Sequence, residues 1–255
     1  MRKARLSLLL LVILLGGCIK NTEKKILWDE SHLETYSIEK IGMFGYSKLR
    51  EDLETLGYKS FSHKKGKITD IVLNQYDALV IAWPTSKFSG EEILAIQKWV
   101  KDGGGLFLIG SSSSEAVVYL NSLSRNYGVT FRHTMVCDRI NDGSVYKPKI
   151  QNLVPHPITE NVSYFVVYYG SSLETIDPSM ILATTSENGW ADVNLDGEYQ
   201  PGEKKGRIPV LASYIDREGR IVFISDGDLF SDVFIEEHDN KKLAINIIKW
   251  LLKED

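Results

Sequence analysis

The densest chemistry in the sequence lies in twelve consecutive residues, Asp192-Val193-Asn194-Leu195-Asp196-Gly197-Glu198-Tyr199-Gln200-Pro201-Gly202-Glu203. They match the calcium-loop pattern D-x-[DN]-x-[DN]-G-x5-E at every specified position. Oxygens at the first, third and fifth places (Asp192, Asn194, Asp196) converge on one side, and Gly197 permits the sharp turn. Glu198 offers its backbone carbonyl, Gln200 acts directly or through water, and Glu203 closes the set with both carboxylate oxygens. Such hard oxygen ligands favour Ca²⁺. Pro201, Gly202 and Gly206 argue against an exiting helix, so the reading is an isolated calcium loop with a structural role inside a β-rich insertion around 190–206. The competing reading is an Asp/Asn/Gly turn with incidental spacing.

A second chemical residue is Cys18. Arg2, Lys3 and Arg5 precede an apolar run, Leu6 to Leu15 interrupted by Ser7, and then Gly16-Gly17-Cys18. This is the order of a secretory signal. The run is too short for a span, which needs roughly 20 residues. Leu15-Gly16-Gly17-Cys18 resembles the lipobox of prokaryotic lipoproteins, which implies cleavage after residue 17 and a lipid on Cys18. The expected organisation is a signal peptide (1–17), a lipidated tether (18–25) and one α/β domain (26–255). The expected location is extracytoplasmic, with the membrane as a partner through the anchor. Losing Arg2, Lys3 and Arg5 takes the formal charge from −4 to −7, which argues against nucleic acid as a partner. Cys137 then remains as the one thiol and reads as a small buried residue. Asn161-Val162-Ser163 fits a glycosylation acceptor, a pattern too short to build on.

A third set depends on the elements that position it. Ile26–Asp29, Tyr58–Ser62, Ala78–Ala82 and Leu106–Ile109 read as strands, the last two as short apolar runs of a buried parallel sheet. Met43–Leu56 reads as a helix stopped by Gly57. Ser89 with Glu92 is a capping box opening a helix that Gly103-Gly104-Gly105 ends. Ser111–Ser114 opens another helix, closed by Gly128. Val129–Asp138, Phe165–Tyr169 and Ile181–Thr185 are β-like. Val210–Ile215 and Arg220–Ser225 form a hairpin, and Lys241–Leu252 is a closing amphipathic helix. Length and composition suit one such domain: 255 residues, 43% hydrophobic, 25% charged. In this architecture ligands bind at the carboxyl ends of parallel strands, so Asp29, His32, Trp83 to Thr85, Ser111 to Ser114, Asp226 and Asp228 are expected to surround one cleft. An aromatic, acids, a histidine and hydroxyls suit a polar small molecule or sugar; a solvated loop rim is the alternative.

Several segments together carry a family resemblance: Asp29-x-x-His32, Tyr76-Asp77-Ala78-Leu79-Val80-Ile81, Phe88-Ser89-x-Glu91-Glu92, Gly103-Gly104-Gly105-Leu106, His156-Pro157-Ile158-Thr159, Gly227-Asp228-Leu229-Phe230 and Asn246-Ile247-Ile248-x-Trp250-Leu251. In this order the chain resembles the gliding-motility and intraflagellar-transport (GIFT) type domain of the class I glutamine-amidotransferase-like superfamily. The resemblance runs from Ile26 to Leu252. It implies a flavodoxin-like, mostly parallel sheet with helices on both faces and a β-rich insertion. Enzymes of that superfamily place a cysteine after the strand corresponding to Leu106–Ile109; here stands Gly110-Ser111-Ser112-Ser113-Ser114. The resemblance therefore implies a binding or scaffolding module.

Three classes of function stay open. The first is a non-catalytic surface lipoprotein that binds a ligand or a protein of the envelope or of a transport complex. The second is a hydrolase in which Ser112 or a neighbour meets His32, His156 or His238, with Asp226 or Asp228 orienting the base; the serines equally suit helix capping or an anion site. The third is a structural envelope protein with calcium as a staple. His156 before Pro157 and the Glu237-His238-Asp239 run read as loop-fixing residues.

Overall fold

The computed structural model describes residues 23–254. The signal (1–17), Cys18 and the tether up to residue 22 lie outside the described residues. Within them run β1 (Lys25–Asp29), α1 (Ser47–Thr55), β2 (Lys59–His63), α2 (Asp70–Leu73), β3 (Ala78–Ala82), α3 (Gly90–Lys101), β4 (Gly105–Ile109) and α4 (Ser114–Ser124). The middle holds β5 (Val129–Arg132), β6 (Met135–Cys137), β7 (Lys149–Ile150), β8 (Asn152–Leu153), β9 (Phe165–Val166), β10 (Ser172–Thr175), β11 (Ile181–Thr184), β12 (Trp190–Asp192) and β13 (Lys204–Lys205). β14 (Pro209–Asp216), β15 (Gly219–Ile224) and α5 (Asn240–Leu251) close the chain. β1 thus starts at Lys25, the last residue assigned to the tether.

The central sheet has eight strands in the order β2-β1-β3-β4-β15-β14-β11-β8. Pairing is parallel from β2 to β15 and antiparallel from β15 outward. Its parallel half follows the doubly wound 2-1-3-4-5 order, with β15 as the fifth strand. Successive residues of a strand face opposite sides, and the core divides accordingly. Ile26, Trp28, Val80, Phe107, Ile109, Val222 and Ile224 share one cluster with Leu49 and Leu53 of α1 and Leu243, Ile247 and Leu251 of α5. Leu27, Leu79, Ile81, Leu106, Leu108, Ile221 and Phe223 share the other with Ile96, Trp99 and Val100 of α3 and Leu120 and Leu123 of α4. Burial of each such side chain is worth about 1.5–3 kcal/mol. The expected mostly parallel α/β fold with both faces covered and added β structure is the one observed.

Three further elements differ from the sequence reading by more than a residue. The first helix starts at Ser47, not Met43. Backbone bonds from Ser37 N–H to Phe44 O and from Tyr46 N–H to Ser37 O engage the preceding loop, and Asp232 accepts the Lys48 N–H at 2.8 Å. Val129–Asp138 breaks at His133-Thr134, because β5 pairs with β10 whereas β6 pairs with β12. Only Phe165 and Val166 of Phe165–Tyr169 form a strand, and Tyr169 turns to φ +58. The capping box holds: Ser89 N–H donates to Glu92 at 2.9 Å and the Glu92 N–H reaches Ser89 Oγ at 3.4 Å. Ser113 stands at the N-cap of α4 without a side-chain cap, and Ser111 Oγ accepts the Ser113 N–H at 3.1 Å instead.

Candidate functional site at the strand carboxyl ends

Chain order reverses between β1 and β3, the position where doubly wound sheets open a crevice. Asp29 ends β1 and Trp83 follows β3. The loop after β3 clamps the loop after β1: Thr85 and Ser86 N–H groups both donate to His32 O, at 3.1 and 3.0 Å, and Thr85 Oγ1 donates to Leu33 O at 2.8 Å. Leu33 and Trp83 both adopt positive φ, +55 and +54, backbone that costs a non-glycine residue roughly 1–3 kcal/mol.

The expected single cleft is instead two interlocked networks. In the first, His32 Nδ1 lies 2.7 Å from Asp29 Oδ2 and Nε2 lies 3.3 Å from Glu92 Oε1, while the ring stacks on Phe88 with centroids 3.9 Å apart. Ser31 caps Asp29 Oδ1 with its N–H and hydroxyl, and His32 N–H donates to Glu34 Oε2 at 3.0 Å. Asp29, His32, Glu34 and Glu92 are all buried. Burial disfavours the His32 charge, but the hydrogen bond and charge of Asp29 outweigh it and raise the imidazole above its ordinary value. Burial, then the Asp29 charge, push the Glu34 carboxyl well above the usual carboxylate range. Asp29 is held low despite its burial, chiefly by its hydrogen bond with His32.

The second network lies on the other face. Tyr36 OH donates to Asp228 Oδ1 at 2.6 Å and Tyr46 OH to Gly227 O at 2.9 Å; the two rings stack with centroids 4.7 Å apart. Gly227 is required here, since a Cβ would sit 2.6 Å from the Tyr36 ring. Asp226 accepts the Tyr168 and Asp228 N–H groups at 2.7 and 2.9 Å. Burial raises both aspartates, Asp226 further through the Asp228 charge. Half-buried Trp83 packs against the core and against Tyr36, with ring centroids 5.8 Å apart.

The histidines offered as bases for a serine are engaged elsewhere. His32 joins two carboxylates, His156 Nδ1 accepts the Ile158 N–H at 3.2 Å, and His238 Nδ1 lies 2.9 Å from Tyr164 OH. The imidazole beside the serines is His133, and its partner is the Ser112 carbonyl, at 2.9 Å, not its hydroxyl. Sequence reading missed Glu34, Tyr36 and the second role of Glu92. The spacing Asp29-x-x-His32-x-Glu34 was the available signal for the first.

The Asp192–Glu203 segment is the loop of an antiparallel pair, β12 with β13. Asp192 accepts the Leu195 and Gly197 N–H groups, each at 2.7 Å, and Gly197 takes the left-handed backbone, φ +79, that its place requires. Glu203 accepts the Val193 and Gln200 N–H groups, each at 2.9 Å. Asp196 accepts the Glu198 N–H and the side-chain amides of Asn194 and Gln200. Backbone donors thus orient the carboxylates, and for an ion the Asn194 and Gln200 amides must turn their oxygens inward. Cys137, paired across to Trp190, is fully buried; that burial and the nearby acids push its thiol up to about 12.

Residues 44–248 match the family model described as Domain of unknown function (DUF4350). An uncharacterized protein of Aquifex aeolicus (strain VF5) is 25% identical over 235 residues, spanning 88% of this chain and 93% of that one. The intraflagellar transport protein 52 homolog of Homo sapiens is 22% identical over 235 residues, spanning 78% of this chain; the match takes in 51% of the human protein, about half its length. Among solved structures, the mmIFT52 N-terminal domain superposes with a TM-score of 0.72 at 20% identity, covering 89% of this chain and 97% of that domain. A putative ThuA-like protein from Bacteroides uniformis ATCC 8492 superposes at 0.55 with 15% identity, covering 91% and 93%. At these identities the structural likenesses establish a shared fold.

Proposed function

The chain belongs to the DUF4350 family, and from that premise we propose that it is an exported, lipid-anchored binding module of GIFT type, within the class I glutamine-amidotransferase-like superfamily and without catalysis of its own. Cys18 carries the anchor and the domain works outside the cytoplasmic membrane. The Asp192–Glu203 loop takes Ca²⁺ as a structural ion. The partner is a protein of the envelope or of a transport complex, and the acidic body does not engage nucleic acid. The 2-1-3-4-5 strand order and the likeness to the intraflagellar transport domain support the superfamily assignment. Among the described residues no helix is long and apolar enough to cross a membrane, so membrane attachment in this reading rests on the lipid.

One observation carries the partner reading. The crevice is filled by its own side chains, whereas the loop above it exposes apolar ones: Leu33 is 68%, Ile41 87% and Phe44 47% exposed. Asp232, accepting the Gly42 N–H at 3.0 Å, ties that loop to the segment bearing exposed Val233. Apolar side chains held over a rigid base suit a protein surface. A sugar or small polar molecule would be left with half-buried Trp83, Thr85 and Ser112 at the rim. The hydrolase alternative gains nothing from the geometry, since the candidate bases are committed to other groups.

The test is photo-crosslinking in intact envelopes, with the reactive residue at position 44 and, as control, at position 215, exposed at the opposite end of the sheet. Discrete protein adducts from position 44 alone are expected. Absence of adducts, or equal adducts from both, contradicts the reading. Loss of lipid labelling in Cys18→Ser checks the anchor separately.

A further inference from the structure

The first network gathers more buried carboxyl oxygens than its own donors satisfy. Asp29, Glu34 and Glu92 are 2%, 8% and 5% exposed, and His32, at 5%, is the cationic side chain paired with two of them. Glu34 Oε2 takes the His32 N–H, but Oε1 is buried with no donor of the protein facing it. A carboxyl oxygen of Glu34 lies within 4.8 Å of one of Asp29. Two buried carboxyls in contact require a cation between them, either a proton or a metal.

We propose that Asp29, His32 and Glu34 form a binding site for one zinc ion, with Glu92 holding the imidazole from behind. One ligand atom from each of the three lies within 4.8 Å of the others. Glu92 Oε1, 3.3 Å from Nε2, fixes the tautomer with the proton on Nε2 and leaves the Nδ1 lone pair for the metal, the carboxylate–histidine–metal relay. Phe88 stacked on the ring keeps its orientation. Ser31 Oγ, 3.3 Å from Nδ1, is at hand for the fourth position. Tetrahedral zinc with bonds of about 2.0 Å sets its ligands about 3.3 Å apart. The 2.7 Å contact between Asp29 and His32 therefore opens by about 0.6 Å on loading. One nitrogen and two carboxylates suit zinc; calcium and magnesium demand six or more oxygens. The other tight cluster among the described residues, Asp142, Glu237 and His238, is more exposed and its acids already have partners: Asp142 pairs with Lys149 at 3.1 Å and Glu237 accepts the Tyr168 hydroxyl.

Zn²⁺ alone is the probe. The full chain carrying Cys18→Ser is stripped with chelator, mixed with equimolar Zn²⁺ and desalted. Bound metal is then counted, and the thermal midpoint is compared with that of the metal-free chain. The parent is expected to retain about one zinc per chain in this site and to melt higher when loaded. Glu34→Gln keeps the size and shape of the side chain, yet it withdraws an anionic ligand; it should lose both effects. Glu92→Gln should weaken zinc affinity about ten- to hundred-fold, and His238→Ala should change nothing. No zinc retained by the parent, or the same zinc content and midpoint shift in Glu34→Gln, overturns the proposal.

Discussion

Asp29 and Asp192 are both the last residue of a strand, and both are buried, 2% and 0% exposed. Asp192 is satisfied locally, each oxygen accepting a backbone N–H from within the next five residues. Asp29 takes local bonds from Ser31 but also meets His32 and Glu34, and through His32 it is tied to Glu92, sixty-three positions away in sequence. A turn that satisfies its own carboxylates exists as a folded unit before any ion arrives. A cluster that gathers three carboxylates around one imidazole stands only because two loops and a helix hold it there, and it needs a cation to be neutral.

The two regions should respond differently to substitution. The largest effect is expected for His32→Ala, which leaves Asp29 and Glu92 buried without their partner and should cost about 3–5 kcal/mol in urea unfolding of the metal-free chain. A loss below about 1 kcal/mol would mean the cluster is no more than a loop. Asp192→Ala should cost about 1–2 kcal/mol in the same measurement, because the buried carboxylate and its bonds to the part-buried Leu195 and Gly197 N–H groups are lost. Smaller again, Tyr36→Phe removes the 2.6 Å bond to Asp228 and should cost about 1 kcal/mol. If Tyr36→Phe matched His32→Ala, the second network would be the keystone of this end of the sheet.

The smallest effect is a pH dependence. Burial raises the folded Asp228 carboxyl above its ordinary value, so the folded chain holds that proton after the unfolded chain has released it. The contribution is fully present below about pH 3.9, the unperturbed value, and is lost as pH rises through the folded value. The parent should therefore lose ground to Asp228→Asn as pH rises from about 4, read from unfolding curves at several pH values. A difference that does not change with pH would mean that Asp228 titrates in the fold as it does in the unfolded chain.

The same contrast explains what could be read from sequence. Strand alternation, the Ser89–Glu92 capping box and the Asp192–Glu203 loop are local patterns, and the strands of the parallel half, the box and the turn stand where the residues indicated. The extra work of Glu92 was hidden because the same carboxylate that closes the box also reaches the Ile68 N–H and His32, contacts that depend on how α3 packs. Glu34 sits in an irregular loop with no periodicity to mark it, and Tyr36 finds Asp228 across 192 positions. The start of α1 was misplaced for a like reason, since Asp232 receives the Lys48 N–H from the far end of the chain.

The most direct test of two separate cation sites is a paired titration of the chelator-treated Cys18→Ser chain with Ca²⁺ and with Zn²⁺, repeated on Asp192→Ala and Glu34→Gln. The account predicts a crossed pattern, in which Asp192→Ala loses calcium and keeps zinc while Glu34→Gln loses zinc and keeps calcium. No calcium binding by the parent up to about 10 mM, beyond the weak end of such loops, or loss of both ions through either substitution, would contradict it.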